Sequence, residues 1–171
     1  VTGCDKKYYP FLKNLVNSLI NSNSLEICDL CILDVENESQ YLSEIEDKIT
    51  KKKKANYNLN IFFKDRQDWF KLLTERPFMK DYFPGYEKYI WLDADTVTYK
   101  PITMEWLNHI APEHSFTTFI GRPKKGYSEC GFVSYNISSP YAEEFFTRWR
   151  SYYNKDLYKN LNAYTDCHTY D

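Results

Sequence analysis

Glycine is scarce in this chain, with five residues in 171 beside seven prolines, which leaves no room for a collagen-like or low-complexity architecture. No apolar run approaches the ~20 residues of a membrane-spanning helix. Neither sign of charge dominates: 22 Lys+Arg stand against 24 Asp+Glu, a formal −2. That balance excludes a protein whose main work is neutralising duplex phosphates, so nucleic acid is not an expected partner. The opening Val1-Thr2-Gly3-Cys4-Asp5 does not spell a signal peptide and begins inside a strand-like segment. The expectation is therefore one domain spanning residues 1–171, truncated at one or both ends. It is expected to be cytoplasmic, a luminal domain trimmed of its anchor being the alternative. Cysteine is present but does not form a framework. Five scattered residues do not read as a secreted disulfide scaffold. Cys28-Asp29-Leu30-Cys31 spells C-x-x-C inside Ile27–Val35, a segment with the pattern of a buried strand. Residues three apart on a strand face opposite sides, so structural thiols are expected there rather than a redox or zinc pair.

What is abundant is aromatic side chain, 18% of the sequence, within a 43% hydrophobic total that excludes a disordered tail. Apolar residues alternate between strand and helix patterns. Val1–Cys4 reads as a first strand, and Pro10 suits a first helical turn. Phe11, Leu12, Leu15, Val16, Leu19 and Ile20 form one helical stripe. Ile27–Val35, Asn58–Phe63 and Tyr89–Leu92 follow as strands, and Glu36–Lys54 reads as a polar segment, part helix. Asp65 is a candidate cap for a helix carrying Trp69, Phe70, Leu72 and Leu73, which Pro77 interrupts. Strands are expected again at Phe116–Ile120 and Phe132–Tyr135, and a helix from Pro140 carries Phe145, Phe146, Trp149, Tyr152 and Tyr153. Lys51–Lys54 reads as a solvated helix end or loop. Alternating strands and helices imply an α/β sandwich with parallel pairing.

The most informative stretch is Tyr89-Ile90-Trp91-Leu92-Asp93-Ala94-Asp95-Thr96. Asp-x-Asp alone is noise, since a shuffled chain with this many aspartates contains about 0.8 such triplets. Its context is not noise. The pair ends an apolar strand, where open α/β sheets bind ligands, and two adjacent carboxylates repel unless a cation joins them. A hard divalent ion, Mg²⁺ or Mn²⁺, fits oxygen ligands of this kind and keeps positions free for substrate phosphates.

A strand followed by Asp93-Ala94-Asp95, after two or three β-α units, resembles the DxD motif of GT-A glycosyltransferases. The likeness is to glycosyltransferase family 8, the glycogenin and bacterial galactosyltransferase type. It implies a GT-A-like, Rossmann-like three-layer sandwich around a mostly parallel mixed sheet. It further implies transfer of a sugar from a nucleotide-sugar donor, a UDP-sugar, to a hydroxyl of a glycan, lipid-linked or protein acceptor. Val1–Tyr9 is similar to the family's first strand and helix, which places Thr2 with Tyr8 or Tyr9 at the donor, a tyrosine stacking on the base. Glu129–Asn136 looks like the strand lining the sugar pocket and assigns Gly131 to close approach. Tyr164-Thr165-Asp166-Cys167-His168 falls where the family has an Asp-Gln motif, giving Asp166 a catalytic or sugar-binding role. The resemblance implies metal binding by Asp93, which also reaches the donor, and by Asp95, with His168 as the candidate third ligand. Glu129 and Cys167 depart from the family's Asn and Gln.

Two other readings remain at this point. One is a Mg²⁺-dependent phosphohydrolase of the haloacid dehalogenase type, although its Asp-x-Asp opens the chain and its Thr lies one position later than Thr96. The other is a non-catalytic carbohydrate- or nucleotide-binding module.

Overall fold

The computed structural model describes residues 1–35, 40–56, 68–109, 117–122, 127–139 and 141–153. Among the described residues there are six strands: β1 (Thr2–Cys4), β2 (Cys31–Asp34), β3 (Lys51–Lys54), β4 (Lys88–Leu92), β5 (Thr117–Arg122) and β6 (Tyr127–Asn136). The helices are α1 (Tyr9–Asn21), α2 (Asp68–Thr74), α3 (Met79–Tyr82), α4 (Met104–Asn108) and α5 (Ala142–Tyr152).

β1, β2 and β3 form a parallel ladder, and β6 lies antiparallel between β4 and β5. Val1 joins the two halves. Its amino group donates to Ile90 O at 2.6 Å, and Leu92 N donates to Val1 O at 3.0 Å. Bonds from one residue to the two neighbours of Trp91 are the parallel pattern. The strand order is thus β3-β2-β1-β4-β6-β5, with β6 alone reversed, which is the mostly parallel mixed sheet expected from the sequence.

Period-two alternation assigns the strand residues to two cores. Cys31, Leu33, Tyr89 and Trp91 pack with Leu72, Met79, Phe83, Val133, Tyr135 and Trp149 on one face. Ile32 and Leu92 pack with Leu12, Leu15, Val16, Leu19, Leu42 and Ile45 on the other. Helices on both faces make the three layers. Pro10 sits in the first turn of α1, as its missing N–H favours. The α1 stripe is buried at Leu12, Leu15, Val16 and Leu19 and partly buried at Ile20, whereas Phe11 is 49% exposed and leans on Tyr8 with ring centroids 5.7 Å apart. Phe11 therefore lies outside the core stripe expected of it. Gly3 marks a close approach: a Cβ there would stand 2.6 Å from Leu33 O and 2.9 Å from Leu72 Cδ1.

Two further expectations are corrected. Lys51–Lys54 is neither a helix end nor a loop but β3, fully exposed yet held in register opposite Cys31–Asp34. Lysines suit a sheet margin because their charge opposes edge-to-edge association, and the backbone ladder needs nothing from their side chains. The polar segment read as part helix contains a 3-10 helix, Gln40–Lys48. The second strand begins at Cys31, so only one member of the C-x-x-C pair is on a strand. Both thiols are pushed up from their ordinary pKa, chiefly by burial, which opposes thiolate reactivity. Pro77 does break the helix pattern, through a 3-10 turn at Arg76–Phe78. The expected strand Asn58–Phe63 and the cap Asp65 lie outside the described residues. Among the described residues, no helix is long and apolar enough to cross a membrane.

Candidate active site

β1 connects to β2 and then β3 on one side, while β4 lies on the other side of β1. The strand order therefore reverses between β1 and β4, and a crevice at the carboxyl ends of such a pair is where open α/β sheets take ligands. Both chain exits there carry the residues singled out from sequence. β1 runs into Asp5, whose carboxylate accepts from Tyr8 N at 3.0 Å and caps the 3-10 turn Lys6–Tyr8. This cap presents Tyr8, 38% exposed, beside Phe11. Tyr9 turns inward instead, half-buried and edge-on to Tyr41 at 5.3 Å, against the α1-side core.

β4 runs into Asp93-Ala94-Asp95. Ala94 is buried, so the two carboxylates flank an anchored residue. The turn is held by Asp93 N donating to Gly131 O at 2.9 Å and by Thr96 N donating to Asp93 O at 3.0 Å. Gly131 lies one step beyond the Leu92–Phe132 pair, directly opposite Asp93. A Cβ on Gly131 would stand 3.4 Å from Asp93 Oδ2, so the bare glycine leaves that oxygen's flank open. The structure thus places Asp93 and Gly131 side by side.

Asp93 is also gripped from beneath. Arg76 Nη2 donates to its Oδ1 at 2.9 Å and lies 3.2 Å from Oδ2, and Trp91 Nε1 donates to Oδ1 at 2.6 Å. The guanidinium carbon lies 5.5 Å from the centre of the Trp91 ring, a cation–π arrangement. Arg76 is 2% exposed and Asp93 30%, so the cation is buried and the anion faces the crevice. Asp95 is exposed.

Arg76 and Trp91 were not singled out by sequence reasoning. The available signal was Glu75-Arg76, a charged pair inside the otherwise mostly apolar run Leu72–Met79. A charge pair in such a run must find partners inside the fold. Glu75 is itself fully buried. Its carboxylate accepts from Tyr82 Oη at 2.8 Å, and burial still pushes its pKa up to about 7.

The donor set fits a hard divalent ion: two carboxylates two residues apart, one exposed and one whose Oδ2 lies beside the bare Gly131. Among the described residues no cluster of three His, Cys, Asp or Glu side chains surrounds a common point. Asp166 and His168 lie outside the described residues. Thr2 is buried in β1 opposite Ile32. It lines a cavity of about 480 Å³ whose walls include Cys28, Cys31, Tyr86 and Lys88, residues at the amino ends of β2 and β4 rather than at the Asp93 edge.

Residues 1–155 match the family described as Glycosyl transferase family 8. No curated protein matches the sequence significantly. Among solved structures, the galactosyltransferase LgtC in complex with donor and acceptor sugar analogs is similar at a TM-score of 0.66 and 14% identity, covering 98% of this chain and 67% of that one. An active-site mutant of LgtC gives a TM-score of 0.67 and 13% identity over 98% and 66%. The apo structure of WbbM, a bifunctional glycosyltransferase, gives a TM-score of 0.62 and 15% identity over 88% and 33%. The chain thus spans one third of WbbM and about two thirds of LgtC. At these identities the likeness establishes a shared GT-A fold.

Proposed function

Because the chain belongs to glycosyl transferase family 8, we propose that it moves a sugar from a nucleotide-sugar donor, a UDP-sugar, to an acceptor hydroxyl with a divalent metal ion at Asp93 and Asp95. The acceptor belongs to a glycan, lipid-linked or protein substrate. The observation that carries the reading is the placement of Asp93 and Asp95 at the carboxyl end of β4, on the β1–β4 switch point. Family membership also weighs against the phosphohydrolase reading of the same two aspartates.

Tyr8 offers a flat face to a base, which any base accepts. Gly131 adds no side chain of its own at the flank of Asp93, so a sugar can approach the backbone there. Asp95 and Asp93 Oδ2, the oxygen on the Gly131 side, would hold Mn²⁺ or Mg²⁺. When bound, the ion supplies electrostatic stabilisation of the charge that develops on the leaving diphosphate. Trp91 and Arg76 keep the Asp93 carboxylate in one orientation, so its geometry is set before ligands arrive. Asp166 is the candidate group for the sugar or the acceptor proton.

Thermal shift with UDP and UDP-sugars, each with and without Mn²⁺, tests the assignment. Joint stabilisation by metal and nucleotide is expected through mass-action linkage, about 2.7 kcal/mol at a hundredfold excess over Kd. Donor hydrolysis or transfer should depend on Mn²⁺ and fall at least about a hundredfold in Asp95→Ala, in line with loss of a transition-state charge stabiliser. Retained turnover in that variant, or hydrolysis of p-nitrophenyl phosphate with indifference to UDP-sugars, refutes the assignment.

A further inference from the structure

The Asp93 carboxylate already has a positive partner. Arg76 is buried, and its Nη2 reaches Oδ1 at 2.9 Å and Oδ2 at 3.2 Å. Trp91 Nε1 adds a second donor to Oδ1 at 2.6 Å. Two N–H groups thus converge on Oδ1, and Oδ2 is the oxygen beside the bare Gly131. The pair is rigid for covalent and packing reasons. Pro77 follows Arg76 in a 3-10 turn, and Trp91, which lies under the guanidinium, is 1% exposed.

From this geometry we infer that Arg76 is a positioning residue that serves as the resident counter-charge of the site, neutralising Asp93 so that a divalent ion binds weakly alone and firmly only together with a diphosphate. The inference rests on the metal-dependent reading above. Asp93 and Asp95 contribute two negative charges, and Arg76 returns one positive charge to the first of them. Counted over these three side chains, a bare divalent ion meets a net charge near −1 and a nearby fixed cation. Two diphosphate charges reverse that balance, since they are attracted by the ion and by Arg76 alike. The arrangement would keep the carboxylate oriented without a metal and couple metal uptake to donor binding.

A neutral side chain at position 76 should therefore improve bare-metal binding while impairing the enzyme, a sign that simple damage to the site does not produce. The test is equilibrium titration with Mn²⁺, following free ion by electron paramagnetic resonance, with and without UDP. Arg76→Met and Arg76→Gln are compared with the parent, with Arg76→Lys as the charge-retaining control and Trp91→Phe removing one donor without changing charge. Circular dichroism melts identify the variants that fold. In folded Met or Gln variants, bare Mn²⁺ should bind roughly tenfold more tightly, the size expected for removing one charge a few ångströms away under partial screening. UDP should then improve Mn²⁺ affinity by a correspondingly smaller factor. Arg76→Lys and Trp91→Phe should stay within about threefold of the parent for bare Mn²⁺, since neither alters the charge. Unchanged or weaker bare-metal binding in a folded neutral variant overturns the inference. So does a tenfold change in Trp91→Phe, which would assign the effect to orientation rather than charge. If instead the parent binds no Mn²⁺ even with UDP, the metal-dependent function itself fails, an outcome distinct from failure of the Arg76 assignment alone.

Discussion

Glu75 makes the stability of this protein depend on pH in a direction opposite to that of a typical carboxylate. Its side chain is 0% exposed. Its Oε2 accepts from Tyr82 Oη at 2.8 Å, and that hydroxyl oxygen in turn accepts from Asn56 N at 2.6 Å. Oε1 has no hydrogen-bond partner among the described residues. Burial dominates and pushes the pKa up from 4.5 to about 7, because one hydrogen bond does not replace the hydration of a carboxylate. The native state thus holds a proton that the unfolded chain releases above pH 4.5. Stability from this group is full below 4.5, declines as pH rises towards 7 and is flat above that. The shift of about 2.5 units corresponds to roughly 3 kcal/mol. Glu75→Gln keeps an oxygen for Tyr82 and removes the titration. Any constant cost of the amide cancels when the same variant is compared at two pH values. Urea denaturation at pH 4.5 and pH 8 should show the variant gaining roughly 2–3 kcal/mol relative to the parent across that interval. Thermal scans should show about 4–12 °C of relative gain for a chain of this length. If the parent and variant stability curves run parallel from pH 4.5 to 8, Glu75 does not titrate as a buried acid and the reasoning is wrong.

Two glycine substitutions separate packing from function. Gly3→Ala places a methyl 2.6 Å from Leu33 O and 2.9 Å from Leu72 Cδ1, so the β1–β2 ladder or α2 must shift. About 3 kcal/mol of stability should be lost, read as a fall of roughly 6–12 °C in Tm; a variant that melts with the parent refutes the close-approach argument. Gly131→Ala meets Asp93 Oδ2 at only 3.4 Å, so Tm should change by about 2 °C or less. The added methyl covers the flank of that oxygen, however, and UDP-dependent Mn²⁺ binding should weaken by at least about threefold, an estimate for a modest steric cost. Parent-like binding in calorimetric titration would remove Gly131 from the site.

Local pattern and motif context made much of this protein legible in its sequence. Apolar periodicity located α1, β4 and the helix that Pro77 ends, because helix and strand periods follow from backbone geometry alone. The position of Asp93-Ala94-Asp95 after an apolar strand located the carboxyl edge of the sheet. What lay beyond reach was long-range. The grip of Arg76 on Asp93 joins residues 17 apart through a turn, and the Val1–Trp91 junction that creates the switch point spans nearly the whole described interval between β1 and β4. Neither leaves a periodic trace. Lys51–Lys54 shows the same limit from the other side: four lysines have poor strand propensity, and only the neighbouring β2 backbone makes them a strand. Composition and spacing thus determined the class of fold and the acidic pair. Tertiary structure decided which tyrosine stays exposed, which glycine lies beside the carboxylate and which cation holds it, since those choices depend on which distant segments the sheet order brings side by side.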